Sequence, residues 1–303
     1  MINGFVVIDK PAGITSHDVV SRVRRIFGTR KAGHTGTLDP FATGVLPVAV
    51  NGGTKVIPFL DEGVKCYEAL MQLGVETDTL DMTGAVLMER DFSFISKQQL
   101  LEVFGQFTGS IFQIPPMYSA IKQGGQPLYK LARMGQNVER SARPAEIHSI
   151  KLLSFNLPFV SIRVTCSRGT YIRTLADDIG AVIGCGAALK ELRRTASGSF
   201  SIENAVTLDQ LEKMAGEQRI EEITVTPMVV LNHLLEIPLT PEGMEGLRCG
   251  RSPSWEATIP GIPVVTAAET LVRLTSDGKL AAVAALVPAP GSVASIVLKR
   301  VLI

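Results

Sequence analysis

One carboxylate is marked out by its surroundings. Asp39 lies in the run Gly33-His34-Thr35-Gly36-Thr37-Leu38-Asp39-Pro40-Phe41-Ala42-Thr43-Gly44-Val45-Leu46-Pro47-Val48, which is too rich in glycine and proline for a helix interior. Glycines at 33, 36 and 44 let the backbone take positive φ or approach a ligand closely. Pro40 biases Asp39 toward an extended conformation. The apolar residues Val45 to Val50 then anchor the loop as a buried strand or a short helix. A carboxylate on a loop braced in this way suits a nucleophile or a general base. The plainer reading is a turn residue bonded to its own backbone.

Few other residues offer chemistry by spacing alone. Cys66, Cys166, Cys185 and Cys249 are far apart, and no two of His17, His34, His148 and His233 stand at ligand spacing. No zinc site is expected from them. Gly52-Gly53-Thr54-Lys55 has the wrong spacing for a phosphate-binding loop. The chain is therefore expected to work without metal, nucleotide or redox cofactor, and its cysteines are expected to stay reduced.

Four further segments complete the pattern. They are Lys10-Pro11-Ala12-Gly13, the strand-like Lys65-Cys66-Tyr67, and Cys166-Ser167-Arg168-Gly169-Thr170-Tyr171-Ile172-Arg173-Thr174-Leu175, followed by Leu189-Lys190-Glu191-Leu192-Arg193-Arg194-Thr195. Together with the Asp39 run they resemble the TruB family of bacterial tRNA pseudouridine synthases. The resemblance extends from residue 3 to about 215 and is weak beyond about 240, and Arg168 stands where the family has a lysine.

The resemblance implies a function and a site. The expected reaction isomerises uridine 55 in the tRNA T-arm, so the partner is the T-arm stem-loop. The glycosidic bond must break, the base must turn, and C5 must join C1′. One aspartate serves, by covalent attack or by taking a sugar proton. A base inside folded RNA must first be flipped out. Asp39 is then the catalytic carboxylate and Arg173 its ion-pair partner. Tyr67 stacks on the base, His34 helps hold the flipped nucleotide, and Tyr171 and Leu192 line its pocket. A simple core role for Leu192 would look nearly the same. Two alternatives remain: a tRNA-folding module with little or no catalysis, and a synthase guided to another RNA. A bacterial-style insertion at about 115–145 and the lack of long basic tails argue against the second.

The elements that must position these residues are partly legible. Phe5 to Asp9 reads as a buried strand. Thr15 or Ser16 caps a helix whose Val19, Val20, Val23, Ile26 and Phe27 share a face. Lys65 to Gly74 reads as a strand with Tyr67, Ala69 and Met71 on one side. Helices are expected at 97–106, 128–134, 170–183 and 208–214, and strands at 147–155 and 159–166. Short strands are expected at 264–272, 280–286 and 293–302. The fold class is α+β: a pseudouridine-synthase fold with a mixed, largely antiparallel sheet flanked by helices. A catalytic domain over 1–238 carries the RNA-gripping insertion. A small β-rich domain over 239–303 is PUA-like by position.

Composition sets the outer bounds. The chain has 303 residues, 46% hydrophobic and 19% charged, with a net charge of +1. That size suits one large domain or two unequal ones. No apolar run reaches the ~18 residues of a membrane span, and no signal peptide is read. A monomeric cytoplasmic protein is expected. Charge is uneven along the chain. Lys10, Arg22, Arg24, Arg25, Arg30 and Lys31 face only Asp18 across residues 10–35, and Lys122, Lys130, Arg133, Arg140 and Arg143 face only Glu139 across 122–143. From these clusters Lys10, Arg22, Arg25, Lys31, Lys122, Lys130 and Arg133 are the candidate RNA contacts.

Overall fold

The computed structural model describes residues 2–61, 63–136, 138–259, 266–289 and 292–303. β1 (Gly4–Lys10) is buried along nearly its whole length. It turns into α1 (Ser16–Ile26) through a capping box: the Thr15 hydroxyl accepts from Asp18 N–H, and the Asp18 carboxylate accepts from Thr15 N–H. Val19, Val20 and Val23 of α1 face the core, as their helical spacing requires. β2 (Ala32–His34) and β3 (Thr43–Val50) follow, with the Asp39 loop between them. The apolar run after that loop is therefore a strand. It is buried almost throughout, because it lies inside a sheet covered on both faces.

β4 (Val64–Leu73) alternates, with Lys65, Tyr67, Ala69, Met71 and Leu73 inward. β5 (Val75–Thr77) and β6 (Val86–Glu89) form a separate antiparallel hairpin. α2 (Lys97–Gln106) and β7 (Gly109–Gln113) come next. The insertion holds the small pair β8 (Lys122–Gln123) and β9 (Gln126–Pro127) and then α3 (Leu128–Arg133). β10 (Arg143–Asn156), β11 (Phe159–Ser167), α4 (Ile172–Ile183), β12 (Ala187–Ser197), β13 (Phe200–Ser201) and α5 (Leu208–Gly216) complete the larger unit. α6 (Pro227–Val230) leads to β14 (Leu235–Pro238), α7 (Pro241–Arg248), β15 (Thr270–Ser276), β16 (Lys279–Ala289) and β17 (Ser292–Val301).

The main sheet runs β1-β3-β12-β4-β11-β10-β7, with β2 beside β3 and β13 beside β12. Neighbours are antiparallel except β3 and β12, which pair in parallel at Arg193↔Thr43 and Arg194↔Gly44. The sheet is thus mixed and largely antiparallel. The strand that joins β3 to β4 inside the sheet, β12, comes late in the sequence.

The second sheet runs β14-β15-β16-β17. It starts at Leu235, ahead of the boundary expected at 238. Helix α7 stands within the region expected to be β-rich. Its cues were local: Thr240 caps it and Pro241 opens it. The strand expected at 264–272 begins at Thr270; Val264 and Val265 lie outside the described residues.

One apolar core packs α1, α2, α4 and α5 on one face of the main sheet. On the other face Phe5, Val7, Val45, Ala49 and Phe200 meet Val230, Leu231, Leu234 and, from the second sheet, Val283. Phe5 and Phe200 stack with ring centres 5.6 Å apart.

Candidate active site

The Asp39 loop is stitched down at several points. The Ser16 hydroxyl donates to Leu38 O (3.1 Å) and accepts from Leu38 N–H (2.9 Å). Gly13 N–H donates to Pro40 O at 2.8 Å. Lys10 Nζ donates to Pro40 O (3.1 Å), Pro11 O (2.9 Å) and Ile14 O (2.8 Å). Lys10 is fully buried, so its expected role as an RNA contact is corrected: its ammonium is committed to three carbonyls beneath the loop. Burial lowers its pKa to about 8, against the pull of nearby Asp39.

Of the three loop glycines only Gly44 takes positive φ, +99°, and a Cβ there would lie 2.2 Å from Arg194 O. Glycine is obligatory at that crossing with β12. Arg194 is itself fully buried. Its Nε donates to Val45 O (2.7 Å) and its Nη2 to Gly36 O (3.0 Å), so β12 holds both ends of the Asp39 loop.

Arg173 joins the loop from the first turn of α4. Its Nε lies 2.9 Å from Asp39 Oδ2 and its Nη2 donates to Asp39 Oδ1 at 3.2 Å. This is the two-point grip that fixes a carboxylate's orientation. The remaining donors are also used. Nη2 reaches Tyr118 O (2.8 Å), and Nη1 reaches Thr79 O (3.0 Å) and Asp81 Oδ2 (3.4 Å).

Asp81 lies in the loop between β5 and β6 and was not among the expected site residues. It is buried, and its Oδ1 accepts from Thr79 Oγ1 (2.9 Å), Thr83 N–H (3.0 Å) and the Thr83 hydroxyl. No motif announced it. The available signal was Asp81 flanked by Thr79 and Thr83, the pattern of an Asx turn.

Asp39 opens into a cleft of about 390 Å³ lined by Tyr67, Tyr171, Leu192, Lys65, Ser119 and Ile121 among others. Five of the six expected site residues therefore converge: Asp39, Arg173, Tyr67, Tyr171 and Leu192. His34 stands at the end of β2 and is not part of the cleft lining. The Asp39 side chain is 32% exposed and Arg173 only 5%. The carboxylate is thus reachable while its partner is fixed. Burial in the cleft raises the Asp39 pKa, opposed by Arg173 and reinforced by Asp81. Burial likewise raises the phenols of Tyr67 and Tyr171.

The candidate RNA contacts divide. Arg25, Lys31, Lys122, Lys130 and Arg133 are exposed, and Arg133 lies 5.6 Å from the Tyr129 ring centre. Arg22 is bound to Asp209 (2.8 Å) and Glu212 (3.1 Å) of α5. Its expected RNA contact is corrected to a tie between two helices. Among the described residues no cluster of His, Cys, Asp and Glu is arranged to hold a metal, and no helix is long and apolar enough to cross a membrane.

Residues 24–172 match the TruB family pseudouridylate synthase N-terminal domain, and residues 173–236 match the tRNA pseudouridylate synthase B C-terminal domain. The chain is 50% identical over 283 residues to tRNA pseudouridine synthase B of Geobacter sulfurreducens, covering 93% of each chain. It is 52% identical to tRNA pseudouridine synthase B of Geotalea uraniireducens, over 93% of this chain and 91% of that one. Among solved structures, the Cbf5-Nop10-Gar1 complex aligns with TM-score 0.76 at 27% identity, over 99% of this chain and 85% of that chain. The chain belongs to the TruB family of pseudouridylate synthases.

Proposed function

We propose that this chain converts uridine to pseudouridine in tRNA, at position 55 of the T-arm, with Asp39 acting on a flipped-out nucleotide. The observation that carries the reading is the two-point Asp39–Arg173 pair at 2.9 and 3.2 Å, set in a cleft walled by Tyr67, Tyr171 and Leu192. Its relatives named tRNA pseudouridine synthase B support tRNA as the substrate.

The reaction conserves every atom of the nucleotide except one exchanged hydrogen. The N1–C1′ bond breaks, the base turns within the pocket, C5 bonds to C1′, the C5 proton leaves to water, and N1 takes up a proton from water. Asp39 serves as nucleophile at the sugar or as base for a sugar proton. Either role requires it ionised, and Arg173 holds it so against the burial that favours its neutral form. Tyr67 and Tyr171 supply flat apolar surface for a base removed from its stack. His34, at the end of β2 ahead of the Asp39 loop, would contact the RNA that surrounds the flipped nucleotide. Exposed Lys122, Lys130 and Arg133 on the insertion, with Arg25 and Lys31, supply phosphate contacts that give affinity rather than sequence choice.

The test is tritium release from 5-tritiated uridine in an unmodified tRNA transcript, with no added cofactor. Wild type should release tritium, and replacing the T-arm uridine should abolish release. Asp39→Asn should release none while binding tRNA within about tenfold of wild type, because phosphate contacts dominate affinity. Residual turnover above about 10% would remove Asp39 from the nucleophile's role. Tight tRNA binding with no release by wild type would replace the reading with a tRNA-folding module.

A further inference from the structure

A buried amide lies behind the site, and no motif pointed to it. Gln113 ends β7 at the edge of the main sheet and is 2% exposed. Its Oε1 accepts the Tyr171 N–H at 2.9 Å, and its Nε2 donates to Tyr171 O at 3.1 Å. The two partners fix the orientation of the amide, since the N–H needs an acceptor and the carbonyl a donor. Tyr171 is the residue before α4, and no side chain caps that helix start from within. Gln113 is the outside group that pins the backbone there. From this backbone project the Tyr171 ring and, two residues on, the Arg173 guanidinium.

The chain leaving Gln113 returns to the same place. Tyr118 O accepts from Arg173 Nη2 at 2.8 Å, and Ser119, Ala120 and Ile121 line the cleft. Exposed Lys122, Lys130 and Arg133 follow. Arg140 Nη1 closes the base of this segment onto Pro115 O at 2.9 Å. The contacts form a circuit: Gln113 to Tyr171, along α4 to Arg173, across to Tyr118, and back along the chain to Gln113.

We propose that Gln113 is a positioning residue for the isomerisation: its amide sets the start of α4 in register with the RNA-facing segment 114–140, and so couples grip on the RNA to the Arg173–Asp39 pair. The proposal rests on the chain being a synthase. A displacement of about 1 Å at a reacting carboxylate is enough to slow chemistry about a hundredfold, so the effect falls on rate rather than on affinity. Asp39 is faced by Arg173 of α4, Asp81 of the β5–β6 loop, Lys10 of β1, Tyr67 of β4 and Tyr171. Lys65 of β4 lines the same cleft. Of these, only Arg173 and Tyr171 sit on the backbone that Gln113 holds. Loosening that backbone weakens the cation that opposes Asp39's burial, which moves the acidic limb of the rate to higher pH.

The experiment compares Gln113→Met, which keeps length without either hydrogen bond, with Gln113→Glu, which keeps the acceptor for Tyr171 N–H. Val272→Ala, buried in the second sheet, is the control for simple loss of stability. Single-turnover rate against pH, tRNA Kd and amide exchange over residues 168–174 are measured on the full chain. Gln113→Met should lose at least about tenfold in rate, shift Kd by less than about threefold and raise the acidic limb. Tyr171 exchange should quicken, and Gln113→Glu should fall between Gln113→Met and wild type in rate and exchange. Val272→Ala should lower the melting temperature with the limb unmoved. An unaltered rate and limb in Gln113→Met overturn the proposal, as do equal losses in rate and Kd with the limb unmoved. A wild type that makes no pseudouridine overturns the functional reading itself. Quickened Tyr171 exchange in that case leaves Gln113 as a tie between strand and helix alone.

Discussion

Asp39 carries its charge in a place that penalises charge. Its folded pKa lies above the ordinary value of 3.8. The stabilising contribution of the group is therefore present below pH 3.8 and is lost as pH rises through the raised folded value. At neutral pH the ionised carboxylate works against folding. Asp39→Asn, expected to be inactive in turnover, should for that reason melt about 1–3 °C above wild type in a calorimetric scan. Arg173→Ala acts in the opposite sense, because it removes the one cation shared by Asp39 and Asp81. Turnover should fall at least about a hundredfold, as when an oriented charge-stabilising donor is lost. Binding should weaken less than about fivefold, and the acidic limb of the rate should rise; single-turnover kinetics across pH 4.5–8 would separate these effects. Equal losses in rate and binding would make Arg173 a mere RNA contact. At this scale Asp39 and Arg173 were legible because each sits in a long, unusual motif. Asp81 and Gln113 were not, because a buried polar residue declares itself only through partners far away in sequence.

At the scale of elements, the catalytic loop depends on what lies beneath it. Lys10 ends β1 inside the protein, where its ammonium bonds three carbonyls of the two loops around it. Lys10→Met would keep the stem and take the ammonium donor from Pro11 O and Ile14 O, each costing about 1–3 kcal/mol, while Pro40 O would keep only Gly13 N–H. A loss of at least about 2 kcal/mol in urea unfolding is expected, with turnover falling too as Pro40 and Asp39 are released. A variant as stable and active as wild type would show that the loop holds itself. Strands and helices with strong period, such as β4 and α1, could be read directly, since their inward residues repeat every second or every third to fourth place. Lys10 and Arg22 were misassigned for one reason. A basic residue in a basic run reads as surface, and only packing reveals that Lys10 is interior and that α5 supplies Asp209 and Glu212 to Arg22.

At the scale of the molecule, the two sheets share an apolar layer. Val230, Leu231, Leu234 and Val283 cover the face of the main sheet opposite the helices. Each fully buried aliphatic side chain is worth about 1.5–3 kcal/mol. Truncation after residue 234 should therefore lower the melting temperature of the remainder, and the whole chain should unfold in one calorimetric transition. Two separate transitions would make the sheets independent. A second unit was expected from residue 239, but the sharing of its core was invisible, because Phe5 and Val283 are joined only by the fold. Strand order has a further consequence, for a chain still being made. Arg173, Tyr67 and Tyr171 gather on the β4 side of the sheet, while Asp39 belongs to the β3 side. The strand that welds the sides, β12, is translated after both. Until it emerges, a nascent chain carries two part-sheets with open edges, exposed to wrong pairing and in need of protection. Synthesis of residues 187–197 turns those edges into a seam, and the cleft is built across it. A ribosome-bound chain that stops short of β12 thus holds Asp39, Tyr67, Tyr171 and Arg173 but lacks Leu192 and the strand that brings them together.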